Sequence, residues 1–191
     1  TLTTDRFCNE NSAYYFDGVD DWINIGNPLG DISTDITVSI WVQEINSLGG
    51  VVIAKKPDDN WCGQAGAPYG IWQIYASSTS ISFCYPSPLF CSTYGIGCTP
   101  VESGTNLLSN WVNIVLVEDG DSLYSFKNGI QTNAWLSENI SQLNDIITLG
   151  RRMDNANSYF YKGNIDDVSL WNRALNASEI QQLYTHGQYD I

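Results

Sequence analysis

The chain is predicted to be all-β: two packed antiparallel sheets with one short C-terminal helix. Three observations predict this. Apolar and polar residues alternate with period two along most of its 191 residues. The alternating runs are separated by Gly, Asn, Asp and Pro, the residues that turn antiparallel strands. Ten such runs fall in a length suited to a single domain, which requires two stacked sheets to bury their apolar faces.

In chain order the strands are read at 13–16, 22–25, 36–42, 51–54, 70–75, 80–85, 111–118, 123–127, 146–149 and 165–171. Asn128-Gly129, between Ser125-Phe126-Lys127 and Ile130-Gln131-Thr132, predicts a tight hairpin, because a two-residue turn with positive φ at both central positions favours this dipeptide. Asp119-Gly120-Asp121 predicts another. The stretch 86–106, rich in Pro, Ser, Thr and Gly, is read as an irregular insertion or binding loop. Near the end, Asn176-Ala177-Ser178-Glu179 is a capping box opening a helix with apolar Ile180, Leu183 and Tyr184 and a stop at Gly187. His186 falls in its last turn, where a cation complements the helix dipole, so it is given a structural role. Trp22, Trp41, Trp111 and Trp171 lie in alternating strands and are assigned to the core.

Composition narrows function. Eight Lys and Arg against 21 Asp and Glu give a net charge of −13, so no basic surface is available for nucleic acid or anionic membranes. One histidine cannot furnish a multi-histidine zinc site. Apolar runs such as Val51-Val52-Ile53-Ala54 are far short of a membrane span, so membrane insertion is excluded. Beginning at Thr1 without a methionine or leader, the chain is read as a piece of a longer secreted product, forming one domain over 1–191. Cysteines at 8, 62, 84, 91 and 98 lack zinc or redox spacing and are read as one or two disulfides with Cys8 left over, which places the protein outside the cytoplasm. The pairing is open, and the alternative is free buried thiols.

Tyr15-Phe16-Asp17-Gly18-Val19-Asp20-Asp21-Trp22-Ile23 and Tyr161-Lys162-Gly163-Asn164-Ile165-Asp166-Asp167-Val168-Ser169-Leu170-Trp171-Asn172-Arg173-Ala174-Leu175 resemble the laminin-G-like domains of the concanavalin A-like lectin/glucanase superfamily. Val38-Ser39-Ile40-Trp41-Val42 and the stretch from Asn110 to Gly129 resemble its central strands, so the likeness covers nearly the whole chain. It implies a jelly-roll sandwich with N- and C-terminal strands adjacent, used extracellularly to bind carbohydrate or protein. The cysteine-rich stretch 57–105 is longer and more aromatic than the family pattern.

Asp166 shares strand parity with Val168 and Leu170 and is expected to point inward. A buried carboxylate needs a partner, and cations are few. A calcium ion held by Asp166 and Asp17 is the expected answer, which the family resemblance also implies; the alternative is that Asp166 accepts backbone amides in a turn. Asp58-Asp59-Asn60 beside Trp61 offers oxygen ligands next to an aromatic ring, or else a plain solvated turn.

The preferred function is a non-catalytic lectin-like module that holds its parent protein on polysaccharide. Trp61, Tyr69, Tyr94 and Trp135 are the candidate platforms, and Asp59 and Asn60 the groups that fix sugar hydroxyls; packing is the competing use of each aromatic. A protein-adhesion or structural domain of a cell-surface protein is the alternative. A glycoside hydrolase or polysaccharide lyase is disfavoured, because no E-x-D-x-E run exists and the one histidine sits on the helix.

Overall fold

The computed structural model describes residues 1–30, 35–44, 49–56, 72–77, 80–85, 97–103, 110–136, 146–152 and 159–186. Among these are thirteen strands and one helix, α1 (Ala177–His186). The seven-stranded sheet runs in the order β1 (Leu2–Thr3), β2 (Ala13–Asp17), β13 (Lys162–Trp171), β4 (Ile36–Glu44), β9 (Val112–Asp119), β10 (Ser122–Lys127), β11 (Ile130–Leu136). The six-stranded sheet runs β3 (Ile23–Gly26), β12 (Ile146–Leu149), β5 (Gly50–Lys56), β6 (Trp72–Ser77), β7 (Ser80–Tyr85), β8 (Gly97–Ser103). Neighbouring strands in both sheets are antiparallel, and β2 lies beside β13, so the first long strand adjoins the last. The expected two-sheet sandwich is present. No helix among the described residues is long and apolar enough to cross a membrane.

The strand sequences explain where the cores sit. Ile36, Val38, Ile40 and Val42 of β4, with Val112, Ile114 and Leu116 of β9, face the six-stranded sheet and join Trp72, Ile74 and Phe83 in the main core. The intervening residues of β9, Val115 and Val117, are buried too. They meet Phe126, Leu175 and Ile180 in a second core, where α1 covers the outer face of the seven-stranded sheet. The apolar run 114–117 therefore reads as continuous because both of its faces are covered. Thr37, on the outer face of β4, anchors the covering segment: its hydroxyl donates to the Arg173 carbonyl at 2.8 Å and accepts from the Leu175 amide at 3.0 Å.

Local signals act as expected at the turns and the helix. Asn128 and Gly129 take φ of 50° and 77° between β10 and β11. The Asn176 Oδ1 accepts the amides of Ser178 and Glu179, both at 3.0 Å, and Glu179 returns a carboxylate oxygen to the Asn176 amide at 2.9 Å.

Two expectations are corrected. The stretch 86–106 contains β8, which carries Pro100; as the edge strand of its sheet, β8 tolerates a residue with no amide to give. Trp22 is 40% exposed rather than core, because Ile23 and Ile25 have the opposite parity and pack inward. The Arg151 guanidinium lies 3.5 Å over the Trp22 ring. Cys8 is free and exposed, and Cys84 is disulfide-bonded.

Candidate functional site

The N-terminal segment folds back over the outer face of the seven-stranded sheet. Asp5 organises it: its Oδ1 accepts the amides of Phe7 at 2.8 Å and Asn9 at 2.9 Å, and its Oδ2 the Asn9 side chain at 3.1 Å. Burial opposes ionisation of Asp5, but these donors outweigh it and hold its carboxyl below the usual value. The turn aims Arg6 at the sheet. Its guanidinium lies 4.4 Å from the Phe7 ring centre and 4.6 Å from that of Trp41, and it donates to both Asp166 and Asp167. Trp41 in turn stacks on Tyr184 of α1, with ring centres 5.8 Å apart and planes 17° from parallel. Ring and cation contacts thus tie the N-terminal segment, β4 and the helix together.

The inward expectation for Asp166 fails because of a bulge. Pairing of β13 with β4 shifts between Asp166 and Ser169, and Asp167 takes a φ of 42°. One extra residue reverses the parity. Ile165 lies in the main core and Val168 and Leu170 pack against it, while Asp166 and Asp167 both meet Arg6 on the outer face. The partners of the buried carboxylate are thus an arginine from the chain itself and, as the turn alternative expects, a backbone amide, that of Asp167 at 2.9 Å. Burial first, and then Asp167 beside it, still push the Asp166 carboxyl above its usual value against the pull of Arg6.

Between the N-terminal segment and α1 lies a cleft of about 780 Å³. Its floor is the outer face of β4 and β13, with Ser39, Trp41, Asp166, Ser169 and Trp171; Phe7 and Asn9 line one side. Glu179, Gln182, Leu183 and His186 line the other, spaced so that one face of α1 presents all four. Arg173 stands at that rim and donates to Glu179 at 3.0 and 2.7 Å, which holds the Glu179 carboxyl low. Half-buried aromatic rings beside carboxylates, amides and hydroxyls are the components of a sugar site.

Asp17 and Asp166 do not come together. Asp17 pairs with Lys162, and Asp166 is four residues further along β13, about 13 Å away along the strand, too far to share one ion. Asp17 instead joins Asp20 and Asp21, with one carboxylate oxygen from each within 4.8 Å of the others, a spacing that hard oxygen ligands around calcium can use. Its Oδ1 also accepts the Val19 amide at 2.8 Å, the largest cause of a carboxyl held below its usual value. Trp135 lies opposite Leu123 in β11 and packs, half-buried, against the main core. Asp59, Asn60, Trp61, Tyr69 and Tyr94 lie outside the described residues.

The cleft as a whole is not legible in the local sequence. Trp171, expected in the core, packs half-buried against the second core and also lines the cleft; His186, expected only to complement the helix dipole, lines it too. A signal existed in two places: the Asp166-Asp167 doublet interrupts alternation as a bulge does, and Glu179, Gln182 and His186 share a helix face. Nothing local marks Arg6.

Residues 17–181 match the family model Laminin_G_3, described as the concanavalin A-like lectin/glucanases superfamily. The chain belongs to this family. No curated protein matches it by sequence. Its Laminin_G_3 fold is similar to that of NanB sialidase from Streptococcus pneumoniae in the K499G mutant, at 20% identity and a TM-score of 0.62, covering 89% of this chain and 27% of that one. It is similar to a heptameric SAP-like pentraxin from Limulus polyphemus, at 13% identity and a TM-score of 0.63, covering 89% and 80%. A third similar structure is the binding domain of botulinum neurotoxin DC in complex with SialylT, at 14% identity and a TM-score of 0.56, covering 82% and 36%. This Laminin_G_3 chain therefore spans well under half the length of the sialidase and toxin chains, and these likenesses show the fold.

Proposed function

We propose that the chain is a non-catalytic, extracellular, lectin-like module that holds its parent protein on a polysaccharide or other glycan. The cleft carries this reading: it is large enough for sugar rings, and Trp171 and Phe7 offer apolar faces beside the hydrogen-bonding groups of Asp167, Ser169 and Gln182. A toxin binding domain of the same fold in complex with SialylT supports it by analogy. The module forms one domain over 1–191 and is stabilised by the Cys84 disulfide.

The proposal includes one calcium ion at Asp17, Asp20 and Asp21 in place of the Asp17 and Asp166 pair. It also keeps Asp59, Asn60, Trp61, Tyr69, Tyr94 and Trp135 as glycan-contacting residues; loss of glycan retention in a Trp61→Ala/Trp135→Ala variant is the expected result.

A glycan array run in calcium and again in EDTA tests the reading, with the best-bound polysaccharides checked for new reducing ends. Binding without cleavage, lost in Trp171→Ala while the circular dichroism spectrum is unchanged, is the expected outcome. A blank array overturns it, and new reducing ends overturn its non-catalytic part. The net charge of −13 favours a second reading, adhesion to a basic protein partner, in which binding falls steeply with salt.

A further inference from the structure

We propose that the cleft selects glycans bearing free amino groups, that is, amino sugars in the ammonium form, over N-acylated or carboxylated ones. The proposal rests on the glycan-binding reading above and adds the ligand's charge class. The described lining carries four carboxylates, Asp5, Asp166, Asp167 and Glu179, against two guanidiniums, Arg6 and Arg173. Both guanidiniums are already engaged by carboxylates of the cleft. Arg6 is spanned by Asp166 and Asp167, and Arg173 meets both oxygens of Glu179.

A ligand carboxylate would therefore have to displace an existing pair to find a guanidinium, and it would enter an excess of two negative charges. Charging His186, the other titratable side chain on the lining, still leaves an excess of one. An ammonium needs no such displacement, because Asp167 gives Arg6 its Oδ2 and keeps its other oxygen to accept. Asp167 is the accessible acceptor, with its side chain 60% exposed at the rim. The Trp171 ring contributes in the same direction, because an aromatic face attracts cations. Arg6 itself demonstrates this chemistry, since the fold places a cation between the Phe7 and Trp41 rings and against two carboxylates.

The test compares two ligands that share a backbone and differ in charge: the β-1,4-linked tetramer of N-acetylglucosamine and its fully de-N-acetylated form. Calorimetry on the intact chain at about pH 6, where the amines are protonated, is expected to show the de-N-acetylated tetramer binding about tenfold tighter. That advantage should shrink by more than half in Asp167→Asn, which suits the positive φ there, and at about 0.5 M salt. Equal binding of both tetramers, undiminished in the variant, overturns the charge selectivity and leaves the glycan reading standing. Binding of neither overturns both. Tetralysine binding as tightly as the amino sugar overturns the assignment to a sugar.

Discussion

The Arg6 guanidinium and the Asp166 carboxylate, 160 residues apart in sequence, form an ion pair in which each side chain is less than a tenth exposed. The pair fastens the N-terminal segment to the bulge in β13 and closes one side of the cleft. Removing one partner strands a buried charge, which costs more than the pair contributes. Arg6→Ala is expected to lower stability by about 2–4 kcal/mol in urea denaturation. Arg6→Ala/Asp166→Asn should recover about half of that loss, because the orphaned charge goes with it. A loss in the double variant equal to the sum of the losses in Arg6→Ala and Asp166→Asn would mean that the two groups are not coupled.

Glu44 predicts a pH dependence. Its side chain is buried at the end of β4, with Oε2 unpartnered among the described residues, and burial raises its pKa from the usual 4.5 to about 7 despite a hydrogen bond from the Gly49 amide. Because the folded state holds this proton more tightly than the unfolded state, stability is full below about pH 4.5 and falls as pH rises through 7. The effect is at most about 3 kcal/mol. Glu44→Gln keeps the shape without the charge, so its melting temperature should exceed that of the parent at pH 8 and match it at pH 4.5. A difference that does not vary with pH would contradict this.

The Asn176 cap makes a smaller, local prediction. Asn176→Ala removes the acceptor for two first-turn amides, and should cost about 1 kcal/mol and fray the start of α1. Hydrogen exchange should show faster amides at Ser178 and Glu179 while β4 and β9 keep their protection. Loss of protection throughout the chain would show that the helix and the sandwich unfold together.

Calcium should act at the β2 turn. If the ion sits on Asp17, Asp20 and Asp21, calcium is expected to raise the melting temperature of the parent and leave Asp17→Asn/Asp20→Asn unchanged. An equal rise in both would place the ion elsewhere.

The sandwich was legible in the sequence because its signals are local. Period-two alternation marks β7 and β12 at their observed bounds, and Asn128-Gly129 and the capping box act within a few residues of themselves. The edge strand β8 was not legible, since Pro100 counts against a strand when the neighbouring strand is unknown. The face of Asp166 was not legible for a similar reason: parity holds only without a bulge, and this bulge is held by Arg6, a residue nothing in the local sequence connects to it. Trp171 followed the same parity to the outer face, where α1 and the N-terminal segment turn an apolar position into the lining of a cleft. The candidate site was hidden because it is assembled from three distant segments.

The most direct test of the central claim is a two-dimensional NMR titration of the chain with the tightest glycan from the array, following backbone amides and tryptophan indoles. Shifts concentrated at Phe7, Ser169, Trp171, Gln182 and His186 are the predicted result. Shifts confined to residues 59–61, 69 and 94, with the cleft silent, would contradict it.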